Sequence, residues 1–194
     1  MKRLILICIL CVLILPVVTA QSVSIGAKIG GDNEIRGGFT IGVFSNFEIV
    51  KAFVIQIEIL YSLLGGAYNY YEPFFSSDLD CKATANVLEL PVLLMPQFRM
   101  GKGEIRIFAG PELGLILGNI EYEEKMPGTT ISIYVEPDNK VVFGFKGGIG
   151  YAHPLGKGTL VFDSSYTRSL TEIFENDNTA VNVLMLSVGY QIGI

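Results

Sequence analysis

The residues best suited to nucleophilic catalysis lie in the last quarter of the chain. The sequence contains one histidine, His153, and histidine is the side chain that most often serves as general base beside a serine or cysteine nucleophile. The nearest serines are Ser164, Ser165 and Ser169. However, His153 precedes Pro154 at a predicted tight turn, and Ser169 lies far along the next predicted strand. We therefore interpret His153 as a structural residue and expect that the protein is not an enzyme.

The other polar segments do not match motifs for metals or cofactors. The similar runs EPDN at 136–139 and ENDN at 175–178 lack the glycine and the terminal glutamate of a calcium loop. Cys81 is the only cysteine after residue 20, which leaves no partner for a disulfide or a cysteine-based metal site. We expect no cofactor and no bound metal.

Seven charged residues form a different kind of constellation, because each stands on a strand face that otherwise carries mainly small or polar residues. A charge removed from water must be paired or hydrogen-bonded. If these strands close into a barrel, as argued below, the charges point into its lumen. We predict that they form an internal ion-pair network that plugs this lumen; the alternative is that some of them lie near the wet opening of the barrel and are merely solvated. Lys146 and Asp163 fall on adjacent predicted strands, as do Glu89 and Arg106. The seven residues are Lys28, Glu58, Glu89, Arg106, Glu112, Lys146 and Asp163.

The segments that position these charges alternate with a period of two, and no sustained helical period follows residue 20. In FVIQIEILYSL at 53–63, large apolar residues occupy every second position, and Gln, Glu and Ser lie among the residues between them. Such alternation predicts β-strands with two different faces. Most reach the roughly nine to eleven residues that a tilted strand needs to cross a bilayer. We predict eight strands: Ser22–Gly30, Gly38–Phe47, Ala52–Tyr70, Ala85–Arg99, Glu104–Glu121, Lys140–His153, Thr159–Leu170 and Ala180–Ile192.

The connections between the predicted strands are alternately short and long. Tight turns fall near Glu48–Val50, Met100–Gly103 and Pro154–Gly158, whereas the other connections are longer, polar and acidic. This order is typical of an up-and-down antiparallel barrel with turns at one end and loops at the other. The acidic loops are either ordinary solvated loops or a rim that attracts cations.

The composition of the two faces predicts what surrounds the barrel. One face is bulky and apolar, and the other is small or polar with few charges. A soluble barrel would need many charged residues on its wet face, but only 17% of the residues are charged. Small inward residues suit the narrow interior of an eight-stranded barrel. The sequence therefore predicts an all-β fold, an eight-stranded antiparallel up-and-down transmembrane β-barrel.

The start of the chain has the pattern of an export signal. Lys2 and Arg3 precede an apolar run, and VTA before Gln21 resembles a cleavage site. We predict a cleaved signal peptide at 1–20 and a barrel domain at 21–194; the alternative is an uncleaved anchor helix, for which the apolar run of about twelve residues is short. Cleavage would leave twelve basic and nineteen acidic residues, a formal charge of −7. This charge argues against nucleic acid as a partner.

Four segments resemble a known family. They are VLELPVLLMPQFRMG at 87–101, IRIFAGPELGLILG at 105–118, GGIGYAHPLGKGTLVFDSSYTRSL at 147–170 and LSVGYQIG at 186–193. These segments look like the outer-membrane β-barrel domain of porin-like, PorT-like proteins, and the resemblance extends over residues 21–194. It implies an eight-stranded barrel in the bacterial outer membrane, in contact with lipid, and it transfers no catalytic residues.

We therefore expect an integral outer-membrane protein with a side-chain-filled lumen and a structural or adhesive role, in which acidic extracellular loops contact an extracellular or envelope partner. A small porin, or a barrel associated with transport or secretion, is the second possibility, although the balanced inward charges argue against an open lumen. The third possibility is a soluble periplasmic lipocalin-like barrel with an apolar ligand. It requires the apolar face to point inward.

Overall fold

Antiparallel β-strands account for most of the described chain. The computed structural model describes residues 20–32, 38–72, 77–126, 129–171, 173 and 182–194. Within these residues, no helix is long and apolar enough to span a membrane. The ten strands are β1 Ser22–Asp32, β2 Phe39–Val50, β3 Phe53–Glu72, β4 Ser77–Met100, β5 Gly103–Ile116, β6 Ile120–Met126, β7 Thr129–Val135, β8 Val141–Leu155, β9 Gly158–Ser169 and β10 Asn182–Gly193.

Eight of these strands close into a ring. Neighbours around the ring follow chain order as β1, β2, β3, β4, β5, β8, β9 and β10, and every pairing is antiparallel. The pairing of β1 with β10 joins the first strand to the last. The structure thus confirms the predicted eight-stranded antiparallel up-and-down barrel, and all the strand edges within the ring are paired.

The connection between β5 and β8 differs from the prediction. The sequence predicts a strand that continues to Glu121 and then a polar loop, but β5 ends at Ile116 and the connection forms the β6–β7 hairpin. Gly118 has a φ of +83°, a left-handed conformation that glycine adopts easily and that interrupts the strand. The run TTISIYV of β7 has the β-branched composition of a strand, but it lies within a polar segment, and the whole segment was therefore predicted to be a loop.

The β6–β7 hairpin extends the sheet beyond the ring. β6 pairs with residues 80–84 of β4, and β4 begins at Ser77 rather than at the predicted Ala85. A strand of 24 residues is roughly 80 Å long at about 3.3 Å per residue. β3, β4, β6 and β7 therefore form a four-stranded extension on one side of the barrel.

The alternation in FVIQIEILYSL separates the inside of the barrel from the outside. Glu58 and Ser62 are fully buried, whereas Ile59 is 51% exposed and Tyr61 is 37% exposed. The other barrel strands follow the same rule, so the outer surface carries large apolar side chains such as Ile107. This arrangement is the opposite of what the soluble lipocalin-like alternative requires.

Three tight turns lie together at one end of the barrel, which we call the short-turn end; the opposite end is the long-loop end. The first turn, at Lys51 and Ala52, follows a register shift between Glu48 and Val50. The other two contain Gly101 with φ +64° and Gly156 with φ +63°. Glycine suits both positions because side chains rarely adopt such angles. The tight turns predicted at Met100–Gly103 and Pro154–Gly158 are therefore present in the structure.

Candidate functional site in the barrel lumen

Six barrel strands bring the seven predicted charges into the lumen. Each side chain points inward because its position has the inward parity of its strand, and Arg106 and Glu112 share β5 at a separation of six residues. All seven are at most 7% exposed. Among the described residues, the buried charged side chains are these seven: Lys28, Glu58, Glu89, Arg106, Glu112, Lys146 and Asp163.

One part of the cluster is centred on Lys28. Its Nζ atom lies 2.5 Å from Glu58 Oε1 and 3.4 Å from Asp163 Oδ2, and it stands 5.3 Å from the ring centroid of Phe44, which is a cation–π distance. Arg106 Nη2 donates to Asp163 Oδ1 at 2.7 Å. Lys28 therefore connects Glu58 to the Asp163–Arg106 pair.

The other part is centred on Lys146. Its Nζ atom lies 3.3 Å from Glu112 Oε2, 3.7 Å from Glu89 Oε2 and 3.9 Å from Glu58 Oε2. Glu58 thus contacts both lysines and joins the two parts into one cluster of seven charges. Burial makes each charge dependent on these contacts, because a charge removed from bulk water is stable only when it is paired or hydrogen-bonded.

The structure joins charges that the strand order did not pair. The sequence places Lys146 next to Asp163 and Glu89 next to Arg106, but Arg106 contacts Asp163 and Lys146 contacts the glutamates. Arg106 and Asp163 lie on β5 and β9, on either side of Gly150 of β8. A Cβ atom at Gly150 would lie 2.1 Å from Asp163 Oδ1. The missing side chain therefore leaves room for a bond across the intervening strand.

Sequence reasoning missed several uncharged polar residues beside these charges. Gln56 is buried and its Nε2 donates to Glu58 Oε1. Thr40 and Ser62 share a hydrogen bond of 2.7 Å, and Asn46 Nδ2 donates to Gln191 Oε1 at 2.7 Å. All five residues have the inward parity of their strands. That parity was a signal that could have identified them.

Two apolar clusters lie in the lumen beside the charged cluster. The one toward the short-turn end consists of Val54, Leu93, Met95 and Phe108. The one toward the long-loop end is built on Val87, Ile116 and Ile120. Their positions follow from the strand register, because residues 54, 95 and 108 lie near the short turns and residues 87 and 116 lie near the opposite ends of their strands. On β5, Phe108 lies between Arg106 and Glu112, so apolar and charged side chains fill the lumen together.

His153 lies apart from the serines considered for catalysis. The strand register places it opposite Leu160, so the nearest of these serines, Ser164, is four positions further along β9, roughly 13 Å away. The neighbour of His153 is Tyr151, whose hydroxyl lies 3.4 Å from Nδ1 and whose ring stacks on the imidazole. None of these serines therefore lies within hydrogen-bonding distance of His153.

The four-stranded extension has a different surface. Nearly all of β7 is exposed, including Ile133 at 52% and Tyr134 at 63%. The Tyr134 hydroxyl donates to Glu121 at 2.9 Å, and this hydrogen bond and the adjacent negative charge raise the pKa of Tyr134. Within the described chain, β7 is the last strand of the sheet and only one of its edges is paired. The extension therefore presents apolar side chains and free backbone groups to its surroundings.

The family follows from a sequence comparison. A family model described as "Outer membrane protein beta-barrel domain" matches residues 17–175. The chain belongs to this family. Members of an outer-membrane barrel family reside in the bacterial outer membrane, and the apolar outer surface of this barrel is accordingly the surface that contacts lipid.

Solved structures of outer-membrane proteins are similar to the chain, and one of them, with a TM-score above 0.5, supports the fold. A major outer membrane protein from Thermus thermophilus is 11% identical, with 89% of this chain and 99% of that chain covered and a TM-score of 0.55. The N-terminal β-barrel domain of Pseudomonas aeruginosa OprF is 9% identical over 87% and 97% of the two chains, with a TM-score of 0.43. Neisserial surface protein A is 14% identical over 88% and 95%, with a TM-score of 0.44. No curated protein matches the chain significantly.

Proposed function

We propose that this outer-membrane barrel has a structural or adhesive role, without enzymatic activity, and that its lumen does not conduct solutes. The observation that carries the proposal is the filling of the lumen by the cluster of seven charges together with two apolar clusters. An eight-stranded barrel is only wide enough for side chains to fill. A small porin would need an aqueous path that these side chains occupy.

The extension at the long-loop end is the proposed contact surface. In outer-membrane barrels the longer loops face the outside of the cell, so the β6–β7 hairpin would project outward. Glu121, Glu123 and Glu136 add acidic character, and β7 offers an unpaired edge within the described chain. Edge strands of this kind accept extended segments of other proteins.

Electrical recording tests the closed lumen. The purified protein is reconstituted into a planar lipid bilayer, and a general porin in the same lipid serves as the positive control. We expect no stepwise conductance from the folded barrel, whose folding is verified by its altered gel migration without boiling. Regular conductance steps that scale with salt concentration would reject the closed lumen and favour the porin alternative.

Surface display tests the contact role. Because Glu121 and Tyr134 are partners in the β6–β7 register, an Asn-Gly turn joining them removes residues 122–133 and preserves the base of the hairpin. Cells that display the shortened protein should adhere less to other cells and to coated surfaces than cells with the full chain. Glu104→Gln at the short-turn end is the control and should have no effect. Equal adhesion by both forms, together with an intact envelope, would contradict the proposal.

We also propose that residues 1–20 are a cleaved export signal; residues 1–19 lie outside the described part of the chain. The supporting observation is the basic start followed by an apolar run and a small-residue site. Mass spectrometry of the protein extracted from outer membranes tests this directly. The mature chain should begin at Gln21, and an intact Met1 would favour the anchor helix.

A further inference from the structure

The charged cluster in the lumen contains unequal numbers of acids and bases. Its four carboxylic acids face two lysines and one arginine, and these seven are the buried charged side chains of the described residues. If all were ionised, the lumen would hold one uncompensated negative charge. An uncompensated charge in a buried site is strongly unfavourable, and such a site usually neutralises itself.

The two acids with the fewest cationic partners are Glu89 and Glu112. Glu58 contacts both lysines, and Asp163 contacts Lys28 and Arg106. Glu89 and Glu112 have a single cation between them, Lys146, at 3.7 and 3.3 Å. These separations exceed the roughly 2.7–2.9 Å of a charge-assisted hydrogen bond. The two side chains on neighbouring strands β4 and β5 therefore share one distant ammonium group, which Glu58 also approaches.

A second observation is that one carboxylate oxygen in the same region has no hydrogen-bond donor. Glu58 Oε2 is fully buried, points toward Lys146 at 3.9 Å and accepts no hydrogen bond within the described structure. The remaining donor near Glu112 is the Thr167 hydroxyl on β9, at 3.5 Å. A carboxylate can only accept, whereas a protonated carboxyl group also donates. One bound proton would remove the excess charge and also supply a donor.

We propose that Glu89 and Glu112 together bind one proton at neutral pH, which makes the buried cluster of seven charges neutral. The groups that face this pair are Lys146 from β8, Glu58 from β3 and Thr167 from β9, and the cluster is completed by Lys28, Arg106 and Asp163. Two carboxylates that compete for one cation cannot both ionise easily, and such pairs commonly share a proton. The inference does not depend on whether the lumen conducts or the extension adheres.

Infrared spectroscopy of the folded wild-type barrel at neutral pH is the first test. A protonated carboxyl group has a carbonyl band distinct from that of a carboxylate, and the band shifts in heavy water. We expect this band in the wild type and its loss in either Glu89→Gln or Glu112→Gln. Glu136→Gln, at the exposed pair with Lys140, leaves the buried charges of the lumen unchanged and should retain it. Absence of the band from the wild type at neutral pH would overturn the proposal even if every variant failed to fold.

The pH dependence of unfolding is the second test. The folded barrel would hold one more proton than the unfolded chain, in which glutamate ionises near about pH 4.3. The urea midpoint should therefore fall as the pH rises above about 5, and the Gln substitution that removes the band should remove this slope. In a further series, sodium replaces choline at constant ionic strength. A urea midpoint that does not change with pH but rises with the sodium concentration would mean that a bound metal cation supplies the missing positive charge. That result would overturn the proposal.

Discussion

Two ion pairs of equal length stand in contrasting parts of this molecule. Arg106 and Asp163 are 2.7 Å apart in the lumen, and Lys140 and Glu136 are 2.7 Å apart beside the four-stranded extension. The side chains of the first pair are at most 4% exposed, whereas those of the second are 49% and 69% exposed. Distance alone therefore says little about what either pair contributes to stability.

The surroundings decide the contribution. If one partner of a surface pair is removed, water solvates the other, so such pairs contribute little. Removal of a partner in the lumen leaves a buried charge uncompensated, which is strongly destabilising. The barrel should therefore be sensitive to single changes in the lumen and tolerant of changes in the extension, and this contrast can be tested with matched variants.

The largest effect is expected for Lys146→Met. This change removes the cation that approaches Glu58, Glu89 and Glu112 and should destabilise the barrel by about 3–5 kcal/mol. Urea unfolding in lipid vesicles measures the effect. Lys140→Met is the matched control at the exposed pair and should unfold like the wild type. Similar midpoints for the two variants would show that the buried cluster contributes no more than the surface pair.

Gly150→Ala should have the next largest effect. Its new Cβ atom would lie 2.1 Å from Asp163 Oδ1 and 2.9 Å from the Phe162 carbonyl oxygen, so the Arg106–Asp163 bond must shift. We expect a loss of about 1–3 kcal/mol, as is usual for overpacking.

Gly65→Ala is the control for this substitution because a Cβ atom there meets nothing within 4 Å. Replacement of a strand glycine at such a site should be neutral or slightly stabilising. If Gly150→Ala unfolds at the same urea concentration as Gly65→Ala, the space beside Asp163 is not required by the ion pair.

The sequence was sufficient to predict the barrel and the burial of its charges, because both depend on local alternation. A period of two assigns Glu58 and Ile59 to opposite faces whatever the rest of the chain does. The same rule directs all seven charges toward the lumen. It does so because each charged residue occupies a strand position that alternates with the large apolar residues.

The contacts between the charges could not be predicted in the same way. Strand order suggests partners on adjacent strands, but Arg106 reaches past Gly150 to Asp163, and Lys28 joins acids from β3 and β9. These contacts depend on side-chain length and on free space inside a closed ring. The β6–β7 hairpin was missed for another reason: its apolar residues lie within a polar segment, and its pairing with residues 80–84 is not local.

A smaller effect is expected for Ile133→Thr on β7. Ile133 is 52% exposed, and threonine retains the β-branched shape that favours strands, so the free energy of unfolding should change by less than about 0.5 kcal/mol. Ile116→Thr is the matched change inside the lumen, where Ile116 is 3% exposed. It should lower the urea midpoint clearly. A comparable loss at Ile133 would mean that the exposed face of β7 is packed against another part of the protein.

The smallest effect concerns the exposed pair itself and is visible only by titration. The hydrogen bond and the positive charge of Lys140 lower the pKa of Glu136. The pair therefore favours the folded state above the ordinary range for glutamate, and this contribution is lost as the pH falls through the lowered pKa. NMR titration of the Glu136 carboxyl carbon should show the lowered midpoint. Lys140→Met should raise that midpoint without a measurable change in unfolding. Identical midpoints in both proteins would mean that the 2.7 Å contact is rarely formed in water. The exposed pair would then contribute even less to stability, relative to the buried pair in the lumen, than its geometry suggests.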